Sequence, residues 1–133
     1  MMIKVLLVDD HTVLRDGLRF LLEAEGDIQV IGTAANGQEA VDQATVRCPD
    51  VVMMDISMPV MNGIEATKRI CALCKNTKVV VLSMYHTNDY IQRALDAGAA
   101  GYLLKDSAGT DLIAAIRALH AGKSYFNQKI TKS

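Results

Sequence analysis

Three aspartates and a lysine occupy positions from which they could do chemistry. Asp9 and Asp10 close an apolar run that begins at Ile3. Asp55 closes a second run, residues 51–54, and Lys105 closes a third, residues 102–104. Ser83 follows a fourth, residues 78–82. Carboxylate oxygens without a His or Cys partner at ligand spacing select a hard cation, Mg²⁺ or Mn²⁺ in its place. Mg²⁺ typically takes one or two carboxylates, several waters and phosphate oxygens, which leaves a carboxylate free to react. Asp55, alone at the end of its run, can act as a nucleophile toward phosphorus. Phosphoryl transfer asks mainly for positioning and for neutralisation of the equatorial oxygens. The cation, Lys105, the Ser83 hydroxyl and the loop amides after Asp55 can supply both.

These residues cooperate only if the chain brings them together. Runs rich in Val, Ile and Leu, separated by helical patterns, read as buried strands of a parallel sheet. The C-terminal ends of such strands share one edge, and ligands bind there. Strands are expected at residues 3–8, 29–34, 50–54, 78–82 and 100–104. Between them lie helical stretches. The first carries Leu14, Leu18, Leu21 and Leu22, with Gly26 suited to its C-terminal cap. The second has Asn36 and Glu39 at capping-box spacing and ends before Pro49. The third spans about residues 63–74. The fourth carries Ile91, Ala94 and Leu95 and stops at Gly98. The fifth, about residues 110–121, carries Leu112, Ala115, Ile116 and Leu119, with Gly122 as its stop. Five strand–helix repeats imply helices on both faces of the sheet, joined by right-handed crossovers.

The bulk properties fit one such domain. The chain has 133 residues, half of them hydrophobic, and a net charge of −1. That is enough for one core and rules out a disordered chain. Lys and Arg are dispersed, which argues against nucleic-acid binding by this segment alone. No apolar run approaches the ~18 residues of a membrane span. The N-terminus enters a strand directly, without the regions of a signal peptide. Three cysteines do not make a disulfide framework and suit a reducing cytosol. Cys71 and Cys74 have the spacing of a redox pair but fall late in a helix, where i and i+3 share a face. They read as core.

Each site residue also has an ordinary reading. An acidic pair after a strand is common as turn or cap chemistry. A lone lysine is usually a solvated charge, and a serine can simply end its strand. The acidic pair, Asp55, Lys105 and Ser83 together at one sheet edge favour the chemical reading. His11 reads as lying at the helix entrance and facing solvent, not as a metal ligand. Two other functions share parts of the pattern. A haloacid-dehalogenase-type phosphohydrolase needs Asp-x-Asp after the first strand and a cap domain, and this chain offers adjacent aspartates and no cap. A flavodoxin-like cofactor binder needs a Gly- and hydroxyl-rich phosphate loop after the first strand, where this chain has an acidic pair.

The chain resembles the receiver domain of bacterial two-component response regulators over residues about 2–122. The resemblance rests on Val8-Asp9-Asp10-His11, on the stretch from Met54 through Asp55, Ser57 and Pro59 to Gly63, on Val81-Leu82-Ser83, and on Gly101-Tyr102-Leu103-Leu104-Lys105. Residues 98–107 and 118–125 are similar to the NarL/LuxR-type subfamily, in which a helix-turn-helix DNA-binding domain follows the receiver. The fold implied is α/β, a doubly wound five-stranded parallel sheet of order 2-1-3-4-5, the flavodoxin-like receiver fold. Residues 1–122 would form the receiver and 123–133 the start of a linker.

The resemblance implies roles. Asp55 would accept a phosphoryl group from a sensor histidine kinase. Asp10 and Asp55 would bind Mg²⁺ directly with the Ser57 carbonyl, and Asp9 would act through a water. Lys105 would pair with the phosphoryl oxygens. Ser83 would move to hydrogen-bond them, and Tyr102 would turn inward and change the surface around the fourth helix, fifth strand and fifth helix. The protein would not be an enzyme acting on other molecules; it would catalyse only its own Mg²⁺-dependent phosphorylation and dephosphorylation. Phosphorylation would favour a homodimer. DNA would be met only through a further domain after Ser133, in the cytoplasm, with no membrane contact; a stand-alone receiver acting by protein contact is the alternative. Two positions depart from the common pattern. Asp106 replaces a proline after the lysine, and Met84 follows Ser83 where a small residue is frequent. Met84 could shield the phosphoryl site, or, like Met61, simply fill a gap.

Overall fold

A computed structural model of the chain describes residues 2–84, 87–105 and 108–126. Strands and helices alternate as β1 (Ile3–Val8), α1 (Thr12–Glu23), β2 (Ile28–Ala34), α2 (Gly37–Arg47), β3 (Val51–Asp55), α3 (Gly63–Leu73), β4 (Lys78–Ser83), α4 (Asn88–Asp96), β5 (Gly101–Leu104) and α5 (Ala108–His120), followed by β6 (Tyr125–Phe126). All strand pairs are parallel and the order is β2-β1-β3-β4-β5-β6.

Side chains alternate across a strand, and the core divides on that rule. Leu6, Val8, Val52, Met54, Val79, Val81 and Tyr102 face α2, α3 and α4. Val5, Leu7, Val51, Met53, Val80, Leu82 and Leu103 face α1 and α5. Strands buried on both faces need near-continuous apolar sequence, which is why the runs are legible. Leu18 and Leu22 of α1 and Leu112, Ala115, Ile116 and Leu119 of α5 are buried as expected. Leu95 is not: at 40 % exposure it lies on the outer face of α4, and only Ala94 of that helix is buried.

Asn36 caps α2 by accepting from the Glu39 amide at 2.9 Å, and the Glu39 carboxylate accepts from the Ala35 amide at 3.1 Å. Gly98 and Gly122 end their helices with φ of 107° and 86°, the left-handed conformation that glycine adopts without penalty. Gly26 does not play that part, since α1 stops at Glu23 with Ala24 as its cap.

The sheet has six strands where five were expected. Tyr125 and Phe126 pair with Gly101 and Tyr102 of β5, so the start of the supposed linker is structured. The signal is two residues long, too short for a periodicity to show. Arg117 ties α5 to the turn after α1 through Asp27 (2.8 and 2.9 Å) and Glu25 (2.7 Å). Asp106, Ser107 and the tail after Phe126 lie outside the described residues.

Candidate functional site

The C-terminal ends of β1, β3, β4 and β5 meet at one edge, and each delivers one part of the site. Asp9 leaves β1 with its amide bonded to the Ala34 carbonyl at 3.0 Å. Its Oδ1 turns back to accept from the His11 amide at 2.8 Å, which starts α1. Asp9 is fully buried, whereas Asp10 faces outward with its side chain about one third exposed. Asp55 is the last residue of β3 and is 1 % exposed. The loop after it closes when the Gly63 amide donates to the Ile56 carbonyl at 2.9 Å. A Cβ on Gly63 would collide with the Asp55 carbonyl, so glycine is required there. Ser83 ends β4 opposite Leu104, and Lys105 follows β5 directly.

Lys105 spans the cluster. Its Nζ lies 3.0 Å from Asp55 Oδ1 and 3.6 Å from Asp9 Oδ2. One ammonium does not balance three carboxylates. Burial pushes the Asp55 carboxyl above its usual range, and repulsion from Asp9 and Asp10 adds to this, while Lys105 opposes it. Asp9 Oδ2 and Asp55 Oδ2 are buried with no hydrogen-bond donor. Orphaned buried acceptors of this kind are costly and fit a cation. Asp9, Asp10, His11 and Asp55 each offer one ligand atom within 4.8 Å of the others. This acidic cluster can hold a metal ion.

A small pocket of about 70 Å³ opens beside Asp55 and is lined by His11, Ile56, Ser57, Ser83, Met84 and Lys105. Met84 stands at its rim, 76 % exposed, and fills no gap in the core. Met61, in contrast, packs against the core. Tyr102 is already inward and fully buried, and its hydroxyl hydrogen-bonds Ser83. Burial raises its pKa, against that hydrogen bond. Cys71 and Cys74 pack against the core and burial raises both thiols, which fits a structural role.

Three features escaped sequence reasoning. Asn62 caps α3 by accepting from the Glu65 amide at 2.9 Å; the Asn-x-x-Glu spacing, the same as at Asn36, is the signal that could have found it. Val60, in the loop after Asp55, has φ 69°, a strained conformation for a β-branched residue and typical of functional loops. The Met61 amide bonds the Pro59 carbonyl across it at 2.7 Å. His11 is 63 % exposed at the helix entrance, as expected, yet its Nδ1 sits 3.0 Å from Asp9 Oδ1 and 3.2 Å from Asp10 Oδ1.

A doubly wound parallel sheet with an aspartate cluster and a lysine at its C-terminal edge defines a known class. The family model of the response regulator receiver domain matches residues 5–117, and the chain belongs to that family. It is 44 % identical to the transcriptional regulatory protein LiaR of Bacillus subtilis (strain 168), over 97 % of this chain and 61 % of that protein. Identity to the response regulator UvrY of Escherichia coli (strain K12) is 40 %, over 98 % of this chain and 60 % of that protein. The chain thus spans about six-tenths of the curated relatives it matches. A LuxR-family two-component response regulator from Aurantimonas sp. SI85-9A1 superposes with a TM-score of 0.94 at 32 % identity, covering 99 % of this chain and 94 % of that one. The isolated REC domain of RcsB from Salmonella enterica serovar Typhimurium, solved with the phosphomimetic BeF3-, gives 0.89 at 27 %, covering 99 % and 98 %. The relatives place this receiver in the LuxR/NarL type of two-component response regulators. Among the described residues no helix is long and apolar enough to cross a membrane.

Proposed function

We propose that Asp55 accepts a phosphoryl group from the phosphohistidine of a sensor histidine kinase in the cytoplasm. An Asp55 carboxylate oxygen attacks phosphorus as the P–N bond to the kinase imidazole breaks. The electron pair leaves with the imidazole nitrogen, which then takes up a proton. Lys105, 3.0 Å from Asp55 Oδ1, shifts its hydrogen bonds to the arriving phosphoryl oxygens, and the Ser83 hydroxyl donates to another. The carrying observation is a buried Asp55 that faces Lys105 on one oxygen and no donor on the other. Asp10, Asp55 and the Ser57 carbonyl would hold Mg²⁺, with Asp9 acting through a water; the ion would neutralise charge on the phosphoryl oxygens. The chain turns over no external substrate and catalyses only its own phosphorylation and hydrolysis.

The output follows from a two-state switch. A phosphoryl group adds charge and acceptors, and the conformation that satisfies them gains population. Ser83 touches both the pocket and the Tyr102 hydroxyl, which links the site to β5 and the helices beside it. We assign dimerisation through that surface, or through α1 and α5, as the consequence. Control of a helix-turn-helix DNA-binding domain outside this chain is its purpose, in keeping with the similarity to the transcriptional regulatory protein LiaR. Incubation with Mg²⁺ and acetyl phosphate, followed by intact mass, tests the reading. The wild type gains one phosphoryl group and Asp55→Ala gains none; equal labelling of the variant would refute it.

A further inference from the structure

We propose that His11 is itself a ligand of the cation held by Asp10 and Asp55, and that it tilts this site from Mg²⁺ toward divalent transition ions. The inference rests on the cation-site reading above and adds a nitrogen donor to it. Its geometry is specific. In an octahedral shell with ligands at about 2.1 Å, adjacent ligand atoms lie about 3.0 Å apart. His11 Nδ1 is 3.2 Å from Asp10 Oδ1, close to the spacing of neighbouring corners of one coordination octahedron, and it makes a hydrogen bond with Asp9 Oδ1 at 3.0 Å. A ring nitrogen of His11 lies within 4.8 Å of an Asp55 carboxylate oxygen.

Two further observations point the same way. Asp9 Oδ2 and Asp55 Oδ2 are buried and lack a hydrogen-bond donor, so the cluster calls for a cation beyond Lys105. And the imidazole is already turned into the cluster, where its Nδ1 makes a hydrogen bond with Asp9 Oδ1 at 3.0 Å that a cation would replace. His11 is the N-cap of α1, but its side chain makes no capping hydrogen bond. The backbone holds the residue at the helix start, with its amide donating to Asp9 Oδ1 (2.8 Å) and its carbonyl accepting from the Arg15 amide (2.9 Å). The ring plays no part in the cap, and it lines the pocket beside Asp55.

The chemistry of the donor set gives the consequence. Two carboxylates, a carbonyl and water suit Mg²⁺ or Mn²⁺, whereas an imidazole nitrogen favours the later first-row ions, with affinity rising from Mn²⁺ to Ni²⁺. A neutral imidazole also adds a ligand without adding to the negative charge already crowded there.

The untagged 133-residue chain is loaded with Mn²⁺ and studied by pulsed electron paramagnetic resonance. Wild type should show ¹⁴N modulation from a coordinated imidazole, abolished by excess Mg²⁺ and absent from His11→Asn. In calorimetry the variant should lose at least about tenfold in Ni²⁺ affinity and keep its Mg²⁺ affinity. His11 is mostly exposed and asparagine is a good N-cap, so the variant folds; its thermal transition provides the control. Mn²⁺ that binds and is displaced by Mg²⁺ without nitrogen coupling would overturn the role of His11 alone, as would unchanged Ni²⁺ affinity in the variant. Failure to bind either Mn²⁺ or Mg²⁺ would overturn the cation site itself.

Discussion

Asp55→Asn should stabilise the metal-free protein and abolish its response to Mg²⁺. The magnitude follows from the charges. At an effective dielectric of about 20, unit charges 4.8 Å apart repel by about 3.5 kcal/mol, and Asp9 and Asp10 both lie within that distance of Asp55. The Lys105 ammonium, 3.0 Å away, returns about 5.5 kcal/mol on the same scale. Removing the charge thus gains about 1.5 kcal/mol before burial, the largest cause of the raised pKa, is counted. Lys105 keeps Asp9 at 3.6 Å and is not stranded. We expect about 2 kcal/mol in EDTA, or roughly 6–10 °C in Tm for a chain of this size.

With Mg²⁺ at 100 times its Kd, wild type should gain about 2.7 kcal/mol and the variant far less, so the gap closes or reverses. The pH dependence gives a second reading in EDTA. Native Asp55 titrates above 3.8 because it is buried and repelled by Asp9 and Asp10. The native state then holds more protons than the unfolded chain, so wild-type stability falls as pH rises from 3.8 through the raised value and stays low above it. The variant lacks that slope. Asp27, which its hydrogen bond to Arg117 holds low, loses its stabilisation as pH falls, equally in both proteins, so the difference curve isolates Asp55. Calorimetric melting supplies all these numbers. A variant no more stable than wild type in EDTA would refute the account of a strained acidic cluster.

Three further outcomes test how the site is held. Gly63→Ala drives a methyl group into the Asp55 carbonyl and should cost about 3 kcal/mol in urea unfolding while sharply slowing labelling by acetyl phosphate. Asn62→Ala removes the cap on the Glu65 amide and should cost about 1 kcal/mol, with the site otherwise intact; equal stability would show that water replaces the cap. Tyr102→Phe deletes a hydroxyl that contacts Ser83 outside the pocket. It should lose about 1 kcal/mol yet still accept a phosphoryl group, and loss of labelling would place Tyr102 in the reaction itself.

Buried strands were easy to read because a sheet covered on both faces demands apolar residues at every position, and the four strand ends then fixed Asp9, Asp10, Asp55, Ser83 and Lys105 at one edge. Helix limits were less legible. Gly26 looked like a cap, yet α1 ends at Ala24 in an ordinary helical conformation. β6 was invisible because two residues carry no period, and its pairing to β5 is a tertiary choice. The inward Tyr102 and the contact of His11 with two carboxylates depend on side-chain direction, which spacing along the chain does not encode. The same holds for Met84, for which the sequence leaves both shielding of the site and gap filling open and whose place is the pocket rim.

The most direct test of the account is to locate the phosphoryl group chemically. Acyl phosphates are reduced by borohydride, which converts a phosphorylated aspartate into homoserine and leaves free carboxylates untouched. The chain is treated with acetyl phosphate and Mg²⁺, reduced, digested and sequenced by mass spectrometry. Homoserine at position 55 and nowhere else is the predicted result. Homoserine at position 9 or 10, or its absence from a protein that has gained phosphoryl mass, would contradict the assignment of Asp55 as the acceptor.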